Sequence, residues 1–210
     1  MIKLKIPFHQ NLKDNIHCFQ ASLMMALSFL DPKTRYSYAE IDRITGFKKK
    51  YLTWNSLALL WLARKGYRVK DISTFDCEAF AKRGKTYLRE YWRPDVYAAQ
   101  DSQSDLIKEQ RLTKRLLQTK GIEMIKKKPT LAMLEKHLAS GWLAIANIDV
   151  SRFDNAKNYI AHSIIVTTIS RSSIFFHDPG STPRKNRRIN RKKFARVLAD
   201  GELLLIKAPK

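Results

Sequence analysis

The chain has 210 residues, 44% of them hydrophobic and 10% aromatic, enough apolar mass for one sizeable core and too much for a disordered chain. Lysine and arginine outnumber aspartate and glutamate 40 to 19, for a formal charge of +21. That surplus fits contact with a polyanion, or equally a lysine-rich background composition. Only Cys18 and Cys77 are present, with no CxxC and no Cys/His cluster, which argues against a disulfide scaffold and a zinc site. No metal and no cofactor is expected, since Walker-type and GxGxxG loops are also missing.

Residues 1–6 alternate charged and apolar side chains and lack the apolar stretch of a signal peptide. No run approaches the length of a membrane span, so a cytoplasmic protein with no membrane span is the expectation. Residues 3–8 read as a short strand, and residues 10–15 as a polar loop. From Cys18 the apolar residues Phe19, Leu23, Ala26, Leu27 and Leu30 recur at three- and four-residue steps, predicting a helix that Asp31-Pro32 ends. Asp14 or Asn15 is placed to cap its first turn.

Ser37-Tyr38-Ala39-Glu40 has the capping-box pattern, and Gly46 closes that helix. Residues 54–65 form a third helix ended by Gly66, and residues 67–72 alternate like an edge strand. Residues 76–92 read as two short helices around Gly84, and 95–120 as a long polar helical arm on the surface. Thr130 caps a further helix that Gly141 ends.

The second part changes character. Residues 142–150, 159–169, 173–177 and 203–206 are apolar and β-branched between turn-rich stretches, which predicts a largely antiparallel sheet. Residues 184–196 hold eight basic side chains in thirteen and read as a solvated loop leading into a helix. The expected class is α+β in a single domain, residues 1–140 mainly helical and residues 141–210 mainly β.

Three stretches carry chemistry. Cys18 stands at the mouth of an apolar helix, whose unpaired N–H groups and partial positive charge favour a thiolate. His162 opens the apolar run Ser163-Ile164-Ile165-Val166, 144 residues later. Asp178 ends the next strand, 16 residues beyond, and antiparallel neighbours set the start of one strand beside the end of the next. Each residue alone reads as plain structure: a buried small side chain, a strand-end histidine, a turn. Together they read as nucleophile, base and orienting acid, at about the 130–150-residue separation of papain-like enzymes. His177 alternates with Asp178, so only one of the two faces the site, and Asp178 is preferred. Cys77 reads as structural.

These stretches, Cys18-Phe19-Gln20-Ala21-Ser22-Leu23-Met24-Met25, His162-Ser163-Ile164-Ile165-Val166 and His177-Asp178-Pro179-Gly180, resemble the bacteriocin-processing, double-glycine-leader peptidases and their relatives in the papain-like superfamily. The resemblance touches both ends of the chain; residues 75–130 are longer than the compact peptidase needs. It implies a papain-like fold, a Cys18–His162–Asp178 triad and a peptide or other amide substrate. Two positions depart from the pattern: His17-Cys18-Phe19 stands where the family has Asp-Cys-Gly, and Leu12 where it has the oxyanion-hole glutamine. Asn11, and after it Gln10, is the nearest amide that can donate to an oxyanion beside the Cys18 N–H. His17 and Trp54 are candidates for the substrate cleft. Peptide cleavage, deamidation and acyl transfer would use the same three residues. The rival reading is a basic binding module without turnover, holding nucleic acid or an acidic partner through Arg184, Arg187, Arg188 and Arg191.

Overall fold

Apolar strands that do not alternate need cover on both faces, and residues 164–166 and 203–206 are completely buried from both sides. The computed structural model describes residues 1–154 and 161–209. In chain order the elements are β1 (Ile2–Lys3), α1 (Cys18–Leu30), α2 (Tyr38–Thr45), α3 (Ser56–Arg64), β2 (Arg68–Ser73), α4 (Cys77–Arg83), α5 (Lys85–Tyr91), α6 (Pro94–Gln103) and α7 (Leu106–Gln118). There follow β3 (Ile122–Lys126), α8 (Leu131–Ala139), β4 (Leu143–Asp149), α9 (Ser151–Asp154), β5 (Ala161–Ile169), β6 (Ser173–Asp178), β7 (Arg184–Asn190), α10 (Arg191–Ala199) and β8 (Glu202–Lys207). The expected start of β5 at Tyr159 lies outside the described residues.

The strands form one sheet in the order β3-β2-β8-β4-β5-β6-β7, with β1 added to β5. Every pair is antiparallel except β2 with β3. The mixed α+β class and the mostly antiparallel sheet are as expected, but the sheet draws on more of the chain. β2 and β3 come from the helical part, and β2 lies between β3 and β8 instead of at an edge. Residues 184–190 are the outer strand β7 rather than a loop, because their backbone completes the ladder on β6.

The period-two alternation of each central strand divides the core. Leu143, Ile145, Ile165, Leu204 and Ile206 point at α1, α2 and α3. Ala144, Ala146, Ile164, Val166, Leu203 and Leu205 point at the other layer, closed by Leu134 of α8 and by Phe194 and Leu198 of α10. A third cluster, Phe80, Tyr87, Leu88 and Leu106 with Trp54, Phe75 and Trp92 against it, is built from residues 75–106. The expected long arm is two helices, because Ser104 and Asp105 break it and the Asp105 carboxylate caps Lys108 N–H at 3.0 Å. α7 is not a surface arm: it buries Leu106, Leu112 and Leu116. No helix among the described residues is long and apolar enough to cross a membrane.

Candidate active site

Helix α1 begins at Cys18 itself, with His17 as N-cap. Neither Asp14 nor Asn15 caps it: no side chain bonds the first turn, and no acidic residue lies in it. Asp14 instead accepts from the Ile16 N–H and holds the His17 ring at 2.9 Å. The first-turn N–H groups therefore remain directed at the thiol region, without a capping carboxylate to oppose a thiolate. α1 is fastened to β5 by the Ser22 hydroxyl, which donates to the Ser163 carbonyl at 3.1 Å. That bond, one residue past His162, sets the cysteine end of the helix beside the histidine.

The His162 ring joins the other two stretches. Its Nε2 donates to Asp178 Oδ1 at 2.8 Å, and the ring stands close enough to the Cys18 thiol for each to shift the other's pKa. With Nε2 taken by the carboxylate, Nδ1 is the nitrogen left for sulfur. The β5–β6 ladder ends at the pair Ile165–His177, and beyond it the turn after Asp178 brings Gly180 against the His162 ring. A Cβ at Gly180 would lie 3.0 Å from Asp178 Oδ1 and 3.2 Å from the His162 ring, so the glycine leaves room for this approach. Asp178 is held further by the Gly180 N–H at 3.1 Å and by Arg187 Nη1 at 2.8 Å.

Electrostatics follow from that geometry. Burial pushes the Asp178 carboxyl up, but the His162 hydrogen bond and charge, with Arg187, pull it down to about 2. Burial lowers His162, yet the bonds to Asp178 and Cys18 raise it to about 9. Burial pushes the Cys18 thiol up, and the His162 bond and charge more than offset this, leaving it below the ordinary thiol value. Cys77 goes the other way: burial, then the charges of Asp71 and Glu202, drive its thiol well above that value.

A cleft of about 640 Å³ opens over Cys18 and His162 and is lined also by Gln20, Trp54, Asn55 and Asn147. Trp54, a candidate for the cleft, is in its lining, stacked on Phe80 with centroids 5.6 Å apart, its Nε1 donating to Gln100 and Ser104. His17 does not line it; the ring is buried against Phe47 at 4.2 Å, between Asp14 and Asp42. Gln10 is exposed and away from the cleft, its carbonyl accepting from the Tyr38 hydroxyl. Asn11 is buried beside the start of α1. Its N–H donates to the Pro179 carbonyl and its Oδ1 accepts from the His17 N–H, while Nδ2 has no partner. His177 turns away, with Nε2 donating to the Ile6 carbonyl and Nδ1 accepting from the Asn186 N–H.

The basic stretch changes meaning. Arg187 is directed inward to Asp178, Arg188 donates to Ser173 Oγ at 2.9 Å, and Arg191 binds Glu135 and the Ser170 carbonyl. Arg184 lies in β7 opposite Asp178 in register. The arginines proposed for polyanion contact thus have partners within the chain.

Reading the sequence named Arg187 only as a candidate for anion contact, not as a partner of Asp178, and it missed Asp71, Glu202, Asn55 and Asn147 in the cleft lining. A signal for Asp71 exists: Val69, Asp71 and Ser73 share one strand face, so the alternation puts a carboxylate where an apolar residue belongs.

This sheet and helix arrangement is similar to that of a solved double-glycine-motif protease. A crystal structure of a double-glycine-motif protease from an AMS/PCAT transporter, solved with its leader peptide, matches 98% of this chain and 94% of its own, at 13% identity and a TM-score of 0.51. A putative C39-like peptidase from Bacillus anthracis matches with 13% identity over 100% of this chain and 98% of its own, at a TM-score of 0.46. No family model and no curated protein matches the sequence.

Proposed function

We propose that the chain is a thiol hydrolase of amide bonds, acting on a peptide through Cys18, His162 and Asp178. The observation that carries this is the His162 ring standing between the Cys18 thiol and the Asp178 carboxylate. The thiolate of Cys18 adds to the substrate carbonyl carbon, and the C–O double bond opens to an oxyanion. Collapse of that intermediate breaks the C–N bond while protonated His162 gives its proton to the leaving amine. A thioester remains on Cys18. His162, now neutral, takes a proton from water, whose oxygen attacks the thioester and releases the carboxylic acid and the thiolate. Asp178 stays ionised, keeps the proton on Nε2 and steadies the imidazolium.

Two donors are assigned to the oxyanion. The Cys18 N–H opens the helix, where no carbonyl four residues back within the helix can take it. Asn11 Nδ2 is a buried amide donor without a partner. A leader-peptide complex of a similar fold accords with an extended peptide as substrate.

The test is turnover of a mixed fluorogenic peptide pool, with acid quench and intact-mass measurement. The expected result is release of fluorophore and an acyl adduct on Cys18, both lost in Cys18→Ala and in His162→Ala. Hydrolysis that persists in Cys18→Ala would overturn the assignment.

A further inference from the structure

In a chain of charge +21, the cleft beside Cys18 ends on two carboxylates, Asp71 and Glu202, and neither forms an ion pair among the described residues. They come from β2 and β8, which pair with Asp71 opposite Leu204. Asn147 stands in register with Ser163 on one side and with Glu202 on the other. Two ladder steps of about 4.8 Å therefore carry the sheet from the neighbour of His162 to Glu202. The carboxylate lies on the order of 10 Å from the thiol region, within reach of a side chain a few residues from the scissile carbonyl.

The pair is held in place by amides. Asn147 Nδ2 donates to Glu202 Oε2 at 2.6 Å, and Asn55 Nδ2 donates to Glu202 Oε1 at 2.5 Å and to Asp71 Oδ2 at 3.2 Å. Asn55 is the N-cap residue of α3, yet it makes no capping bond; its side chain is diverted to these carboxylates. Asp71 is 5% exposed, and its Oδ1 has no donor. Burial and the Glu202 charge push the Asp71 carboxyl well above the carboxylate range, so it ionises most readily beside a cation.

An observation outside the acidic pair points the same way. Gln20 is fully buried on the cleft wall, and its Oε1 has no partner. Its orientation is fixed, because the Thr45 hydroxyl donates to the Ile41 carbonyl and so accepts from Gln20 Nε2. Unpartnered acceptors on both Gln20 and Asp71 call for a ligand rich in donors. The cleft lining also carries aromatic rings, with Trp54 and Trp92 6.0 Å apart and Phe75 against both. Carboxylate, amide oxygen and aromatic faces together fit a planar cation with several N–H groups.

We infer that this end of the cleft is a subsite for a basic side chain of the substrate, a guanidinium in preference to an ammonium, seated on Asp71 and Glu202. The inference rests on the hydrolase reading and names its substrate class: peptides with arginine or lysine close to the cleaved bond.

The experiment uses fluorogenic peptide sets in which one position at a time carries arginine, lysine, citrulline or norleucine. At one position arginine should exceed citrulline at least tenfold in kcat/KM, with lysine between, and Glu202→Gln should bring that ratio within about threefold. Asp71→Asn, which removes a buried acid without changing its shape, serves as the second variant should Glu202→Gln fail to fold. Turnover without a basic preference, or a preference that survives both substitutions, overturns the subsite and leaves the hydrolase reading standing. If no peptide turns over, benzamidine and its neutral analogue benzamide are titrated by tryptophan fluorescence. Benzamidine binding at least tenfold tighter than benzamide, lost in Glu202→Gln, supports the pocket, and equal binding overturns it.

Discussion

His162 and Asp178 meet across two antiparallel strands, Nε2 to Oδ1 at 2.8 Å, with the second carboxylate oxygen bound to Arg187 at 2.8 Å. Asp178 is thus the hinge between a candidate catalytic ring and a buried guanidinium. Asp178→Ala should lower kcat by about 10²-fold or more through loss of the ring's orientation. It should also cost about 2 kcal/mol of stability, because the mostly enclosed Arg187 loses its charged bond to the Asp178 carboxylate. Steady-state kinetics and urea unfolding read the two effects separately, and a variant as stable as the parent would contradict the second.

The same carboxylate sets an acid limit. Its value falls from an ordinary 3.8 to about 2 on folding, so its stabilisation is fully present above pH 3.8 and is lost as pH falls towards 2. The term is worth about 2 kcal/mol. His177 acts higher up: burial holds it below 6.5, so its contribution is present above that pH and shrinks as pH drops beneath it. Urea midpoints should therefore decline in two stages on acidification, and Asp178→Asn should shrink the lower one, to which the lowered carboxyls of Asp14, Glu40, Asp76 and Asp200 also contribute.

Asn11 separates a positioning role from an oxyanion role. Asn11→Asp keeps an acceptor for the His17 N–H but removes the unpartnered Nδ2 donor. The expected result is a fall in kcat of about 10²-fold, with a thermal midpoint within a few degrees of the parent. Unchanged kcat would remove Asn11 from the oxyanion site and leave the Cys18 N–H as its donor.

Gly180 tests how tightly the ring is packed. An added methyl meets Asp178 Oδ1 at 3.0 Å and the His162 ring at 3.2 Å, so Gly180→Ala should shift the ring by a few tenths of an ångström. Kinetics should show kcat reduced with KM little changed, since the cleft itself is untouched. A parental kcat would mean that the turn absorbs the methyl.

The site's three candidate residues were legible because each sits at a boundary that local chemistry writes: an apolar helix begins at Cys18, an apolar strand runs from His162, and a Pro-Gly turn follows Asp178. Strand pairing hid the rest. Arg187 looked like one more charge in a basic run, since only the β6–β7 ladder reveals its partner nine residues away. Asp71 and Glu202 are 131 residues apart in sequence and meet only through the pairing of β2 with β8. His17 was a candidate for the cleft because it precedes Cys18, but tertiary packing holds its ring on Phe47 instead.

The pH dependence of Cys18 alkylation bears most directly on the hydrolase reading. Iodoacetamide is added to the native protein between pH 4 and 10, and modification of Cys18 and Cys77 is followed separately by mass spectrometry. Cys18 should react fast well below pH 8, as a thiolate paired with His162, while Cys77 stays inert. His162→Ala should return Cys18 to an ordinary thiol titration near about pH 8.5. A parental Cys18 that already titrates as an ordinary thiol, or a Cys77 that reacts as fast, would contradict the account.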